Sequence, residues 1–197
     1  QLFLSTNNPK LTYQNIKIPI TKVKIYSKIN KIFNTKIEVS QIVFGVKKFK
    51  IQDVQKLAIR IKPSNFKTYL LNNINGGEIE EALFDLNTDK DFKLVDYKAS
   101  GTIKKIDAKL TSDFIIQNIS FNFIADKSLT SVNSIAANYE GISISNGSIK
   151  LQREKEIEIK GKFNTLFNLR GNQIKKLLTK VKFFKKNKIK IQGSLLH

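Results

Sequence analysis

The sequence predicts a mainly β protein, an antiparallel sheet accompanied by two or three short helices. Three observations carry this expectation. From about residue 78 to residue 163, apolar residues fall on every second place in one run after another, the period of a strand with one wet face and one dry face. Short polar turns separate the runs, which suits antiparallel neighbours. Apolar residues at helical spacing occur only between 52 and 75 and again after 171.

In chain order, LTYQNIKIPITKVKIYSKI alternates through Ile16, Ile18 and Ile20, then resumes one residue out of phase at Val23 and Ile25. This predicts strand with a bulge or bend near Pro19 to Lys22. SKINKIF (27–33) is expected to form a short helical turn, and KIEVSQIVF (36–44) a strand. In IQDVQKLAIRIK, Val54, Leu57, Ala58 and Ile61 are spaced i, i+3, i+4, i+7, which predicts a helix that Pro63 stops. Ser64 or Asn65 then caps a second helix with Phe66, Tyr69, Leu70 and Ile74 as its apolar stripe, and Gly76-Gly77 ends it. EIEEALFDLN, LVDYKASGTIKKIDAKL, FIIQNISFNFIA and VNSIAANYEG follow as strands. In QNISFNFIA, Ile119, Phe121 and Phe123 point one way and Asn118, Ser120 and Asn122 the other.

The stretch GISISNGSIKLQREKEIEIKGKF (141–163) is expected to be a meander. Asn146-Gly147 predicts a type I′ turn, because both residues tolerate positive φ, placing Ser145 opposite Ser148, Ile144 opposite Ile149 and Ile142 opposite Leu151. A second reversal at Arg153-Glu154-Lys155 sets Leu151 opposite Ile157, and Ile159, Gly161 and Phe163 continue the same parity. After 171, Ile174, Leu177, Leu178 and Val181 form a helical stripe, and KIKIQGSLL returns to strand. KVKFFKKNKIKIQGSLL loosely echoes KINKIFNTKIEVSQIVF, as the start of a further unit would.

Composition narrows the function. The 197 residues include no methionine, so a segment of a longer protein is expected, and no cysteine, which removes disulfides and thiolate metal sites. No run approaches the ~20 apolar residues that cross a bilayer, and no signal-peptide pattern opens the chain. Any membrane anchor is therefore expected outside these residues. The net charge of +19 raises the question of a polyanion. It is almost entirely lysine, with Arg60, Arg153 and Arg170 the only arginines, in a sequence also rich in isoleucine and asparagine, as AT-rich coding would produce. The lysines mostly alternate with apolar residues on solvated strand faces, so no nucleic-acid partner is expected.

Catalytic chemistry finds no foothold. His197 is the sole histidine, so neither a nucleophile–histidine arrangement nor a histidine metal cluster can be built. Asn87, Asp89 and Asp91 alternate like the opening of a calcium loop, but Phe92 stands where glycine is needed and Lys98 where the bidentate glutamate is needed, which leaves a polar hairpin turn. Nothing singles out Glu78, Glu80, Glu81 or Asp85 as a glycosidase pair. Gly76-Gly77 follows a helix rather than a strand, unlike a phosphate-binding loop. Asn118-Ile119-Ser120 and Asn146-Gly147-Ser148 match the glycosylation sequon, which is too short to inform. No catalytic residue, cofactor or metal is expected.

The run ITKVKIYSKINKIFNTKIEVSQIVFGVKKFKIQDV resembles a recurring segment of the AsmA-like superfamily: an amphipathic strand, a short apolar turn, then K-I-x-V-x-x-I-x-F, carried here by Ile32-Phe33, Lys36-Ile37, Val39, Ile42 and Phe44. The downstream order, two helices followed by GEIEEALFDLN, DYKASGTIKKIDAKL, ISFNF and GSIKLQREKEIEIKGKF, is similar to the YhdP-type members. The resemblance spans roughly 16–163. It implies a strongly curved sheet forming an open groove or half-barrel, in a periplasmic protein anchored to the inner membrane by a segment outside this one. It also implies non-enzymatic, bridge-like transfer of phospholipid between inner and outer membranes, with acyl chains as the partners. On that reading 1–163 is the groove segment, including the helical interlude 52–75, and 164–197 begins the next unit. The expected lining is Ile119, Phe121, Phe123, Ile142, Ile144, Ile149, Leu151, Ile157 and Ile159. Two rival expectations stand beside it: a basic module for a polyanion, with lysines gathered on one surface, and a structural envelope domain whose helices close the apolar face.

Overall fold

The computed structural model describes residues 2–29, 37–111, 114–140, 142–153 and 157–167, with backbone alone at 28, 29, 37, 157 and 167. The elements run β1 (Leu2–Asn7), β2 (Leu11–Tyr13), β3 (Ile16–Ile18), β4 (Ile20–Ile29), β5 (Ile37–Lys50), α1 (Ile51–Ala58), α2 (Asn65–Asn73) and β6 (Ile74–Asn75). They continue with β7 (Glu78–Thr88), β8 (Leu94–Thr111), β9 (Phe114–Asp126), β10 (Leu129–Tyr139), β11 (Ile142–Arg153) and β12 (Ile157–Phe167). All but β2 and β3 join one ten-stranded antiparallel sheet of order β1-β4-β5-β7-β8-β9-β10-β11-β12, with β6 paired to β8 in line with β7. The described sheet is open, ending at β1 and β12.

The helices form in the two stretches that the spacing predicts but are shorter: α1 ends at Ala58, before Ile61, and α2 at Asn73, with Ile74 already in strand β6. Ile51 and Ala58 of α1 are buried, and Ser64 caps α2 by accepting the Lys67 N–H at 3.1 Å. Gln55 of α1 donates to the carbonyls of Leu70 and Ile74, each at 2.8 Å, satisfying groups that the end of α2 would otherwise leave open. Gly76 and Gly77, both at positive φ, carry the chain from β6 into β7. Two hairpin turns follow the chemistry expected of polar loops. Asp89 accepts the N–H groups of Asp91 and Lys93, so the calcium-like motif is a turn. Asp126 accepts from Leu129 and Ser128 N–H groups and the Ser128 hydroxyl, which hold its carboxyl below the ordinary range.

Three local expectations are corrected. Asn146-Gly147 makes no turn: β11 runs straight through it, and the register with β12 slips between Ser145 and Ser148. Asn146 does take the left-handed φ of 51°, but as the extra residue of a β-bulge. β11 finds partners on both sides along its length, and Gly147 is needed because the Phe163 ring and Ile135 lie where its side chain would be, 2.6 and 3.0 Å away. The bulge shifts the parity, so Ile142, Ile144, Ile149 and Leu151 still share one face without a hairpin. Second, Leu151 pairs with Ile159, and Arg153 with Ile157, two residues from the expected register but with the same parity. Third, Ser27 to Ile29 belong to strand β4 rather than a helical turn; the remainder of that turn, and everything expected after residue 167, lies outside the described residues. The type I′ geometry appears instead at Gln14-Asn15, at φ 48° and 64°, between β2 and β3. The expected irregularity near Pro19 is present as a register shift between Ile20 and Lys22.

Bulging is a rule of this sheet. Following the registers, the residues on one face step by three rather than two at points in seven strands, among them Ile20 to Val23, Val46 to Phe49, Ile79 to Ala82, Ile103 to Ile106, Ile116 to Ile119, Val132 to Ile135, and Ile144 to Gly147. Within these steps Lys48, Lys105, Asn118, Ser134 and Asn146 have positive φ. Both residues inside each of these named steps are polar, from Lys47-Lys48 and Glu80-Glu81 to Ser145-Asn146. A phase change would otherwise send the apolar set of each strand to the wet side.

Candidate functional site

Directly opposed residues share a sheet face, so the registers trace which side chains lie together. One row runs Val23, Phe44, Phe84, Ala99, Ala125, Thr130, Leu151, Ile159 from β4 to β12. The next runs Ile20, Val46, Ala82, Gly101, Phe123, Val132, Ile149, Gly161. Apart from Thr130 and the two glycines, both rows are hydrocarbon or aromatic. Phe44 and Phe84 stack at 4.8 Å. Gly101 is dictated by close approach, since a methyl group there would strike the backbone and side chain of Ala82 and the Glu81 carbonyl.

The helices cover this face at one end. Ile51 of α1 and Ile74 form a buried cluster with Ile106 and Ala108 of β8, joined by Leu70, Ile79, Ile103, Ile119 and Phe121. The substantial contacts of the helices are with each other and with β5, β6 and β8, and strands pack substantially only on their sheet neighbours. None of the residues of the two rows belongs to that cluster. On β5 and β7 to β11 their residues are half-buried, with Val46 and Ala82 buried, and on β12 the rows run out at Ile159, 65% exposed.

The nine expected lining residues divide accordingly. Ile119 and Phe121 belong to the cluster under the helices, so they are packed against protein rather than lining an open face. Phe123, Ile149, Leu151 and Ile159 lie in the two open rows. Ile142 is buried and Ile144 half-buried beyond the bulge, opposite Tyr139 and Ala137. Ile157 opposes Arg153, and its side chain is outside the description. The sequence reading missed Phe44, Phe84, Val46 and Val132, whose strands show the same alternation; it followed the face only through the last strands.

The opposite face carries the polar groups. Gln41 donates to Asp85 at 2.7 Å, Thr102 to Asn122 at 2.8 Å, and Lys160 pairs with Glu158 at 2.8 Å. Lys22, Lys24, Lys47, Lys98, Lys150, Lys160 and Lys162 have the parity of this face, but Glu81, Asp85 and Glu158 are interspersed with them. The Ser- and Asn-rich β9 and β10 separate them into two groups. Among the described residues no cluster of acidic or histidine side chains could hold a metal, and no helix is long and apolar enough to cross a membrane. Compared with family models, with curated proteins and with solved structures, the chain gives no match. The fold and the apolar face therefore carry the functional argument without a relative.

Proposed function

We propose that this segment is part of a non-enzymatic lipid-transfer groove of the AsmA-like, YhdP type, in which phospholipid acyl chains lie along the apolar face of a strongly curved sheet. The observation that supports it is the pair of apolar rows, continuous across eight strands and outside the buried cluster under the helices. Bulges bend the strands that carry them, and their recurrence in seven strands is a source for the curvature. In the closed structural reading the helices cover the face; here they take Ile119 and Phe121 and leave Phe123 and Ile149.

The mechanism is passive solvation. At ~0.8 kcal/mol per methylene, exposing a chain of about sixteen carbons to water costs roughly 10 kcal/mol, and an apolar path removes most of that cost. At ~4.8 Å per strand, the nine strands from β1 to β12 extend roughly 38 Å, with head groups left in water. In this proposal the groove lies in the periplasm, between inner and outer membranes, and the anchor lies elsewhere in the parent protein. Native mass spectrometry of the delipidated protein mixed with phospholipid tests it. A phospholipid adduct that survives transfer to the gas phase is expected, lost when a water-soluble short-chain lipid replaces it; absence of any adduct contradicts the proposal.

A further inference from the structure

The apolar stripe expected along α2 is only half used. Leu70 and Ile74 join the buried cluster, but Phe66 is 75% exposed and Tyr69 is also at the surface. Just before it, in the α1–α2 connection, Ile59 and Ile61 are 57% and 66% exposed. From residue 54 to residue 77 the chain has the cations Lys56, Arg60, Lys62 and Lys67 and not one carboxylate. Large apolar side chains are thus exposed along a stretch whose own charged residues are all cationic.

The tip is built to hold that shape. Lys67 Nζ donates to the carbonyls of Ile59 at 2.8 Å and Ile61 at 2.6 Å, the N–H groups of Arg60 and Ile61 close on Leu57 and Ala58, and Ser64 caps α2. Gln55 fixes α1 to the end of α2. Lys56 is engaged by Asp53, whereas Arg60 and Lys62 make no ion pair among the described residues. Little ordering is left to be done on binding, which favours a contact.

From this we infer that the α1–α2 tip docks on an anionic lipid bilayer, Ile59, Ile61 and Phe66 entering the head-group region while Arg60 and Lys62 meet lipid phosphates. The charge complementarity selects the anionic surface, and the bulky apolar residues select an interface with hydrocarbon beneath it over a polyanion in water. The contact uses none of the residues of the apolar rows, and its test does not depend on acyl-chain loading.

The protein lacks tryptophan, so Phe66→Trp places a single reporter at the tip. Mixed with vesicles containing about 30% anionic lipid, that variant is expected to show a blue-shifted emission and quenching by lipid labelled in its acyl chains, with neither effect on zwitterionic vesicles. Sedimentation with the anionic vesicles should fall about ten-fold in the Ile61→Ser, Phe66→Ser double variant and about as far in Arg60→Ser, Lys62→Ser. Emission unchanged by anionic vesicles overturns the proposal, including the case where the tip proves to be covered by a partner protein. Binding that needs Arg60 and Lys62 but is indifferent to loss of Ile61 and Phe66 overturns it too, as the mark of a polyanion site.

Discussion

Gly77→Ala should lower the unfolding free energy by about 3 kcal/mol or more, among the largest effects available to a single methyl group here. Gly77 sits at φ 76°, and a Cβ there would lie 2.6 Å from the Lys104 carbonyl oxygen, 2.8 Å from the Ile106 nitrogen and 2.5 Å from Ile106 Cγ2. Two of those three are backbone atoms of β8, the longest described strand, and cannot give way cheaply. The Gly77 carbonyl also accepts the Ile51 N–H at 3.1 Å, so displacement loosens the start of α1 and the cluster beneath it. Gly76 is the internal control. It too has positive φ, at 63°, but its Cβ would meet only the Lys105 carbonyl oxygen, at 3.7 Å. Gly76→Ala should therefore cost only the left-handed backbone term, about 1–2 kcal/mol. Urea denaturation of the two variants separates them; equal losses would mean that close packing against β8 is not what selects glycine at 77.

The second large effect distinguishes the two parts of the apolar face. Ile106→Asp buries an unpaired carboxylate in the cluster under the helices and should cost about 3–5 kcal/mol, enough to threaten the fold. Phe123→Asp is placed in an open row, half-buried beside Gly101 and Val132, where water can reach the charge. Its cost should be about 1–2 kcal/mol, leaving a folded sheet whose hydrocarbon path is broken. Phospholipid loading should then drop at least about ten-fold in Phe123→Asp, as the charge replaces acyl-chain contacts worth more than 1.4 kcal/mol. If Phe123→Asp unfolds the protein as readily as Ile106→Asp does, the row is closed core.

Much of this architecture was legible because its signals are local. The alternation of Ile119, Phe121 and Phe123 and the i, i+3, i+4 spacing of Val54, Leu57 and Ala58 are set by side-chain geometry within a few residues, and they appear as read. The cap of α2 was narrowed to Ser64 or Asn65 for the same reason, and Ser64 is the one that caps. Asn146-Gly147 misled because positive φ and a missing side chain serve a bulge as well as a turn, and the choice rests with strands β10 and β12 on either side. Gln14-Asn15 escaped notice because glutamine is an uncommon residue at positive φ, held there by the Tyr13–Ile16 pairing.

The bulges left a trace in the sequence that was read only near Pro19 to Lys22. A pair of polar residues between two apolar ones, as in Val46-Lys47-Lys48-Phe49 or Ile103-Lys104-Lys105-Ile106, is a change of phase rather than the end of a strand. Which apolar residues lie under the helices depends on pairing between β6 and β8, far apart in sequence, so Ile119 and Phe121 could not be told from Phe123 by periodicity. Periodicity reports that a face is dry and is silent on what keeps it so.

Photo-crosslinking puts the central claim to its most direct test. A photoreactive residue at Phe123 or Ile149, activated in living cells, is expected to capture phospholipid, while one at Ile106 captures only protein, from α1 or α2. Protein adducts alone at Phe123 and Ile149, with no lipid, would contradict the groove.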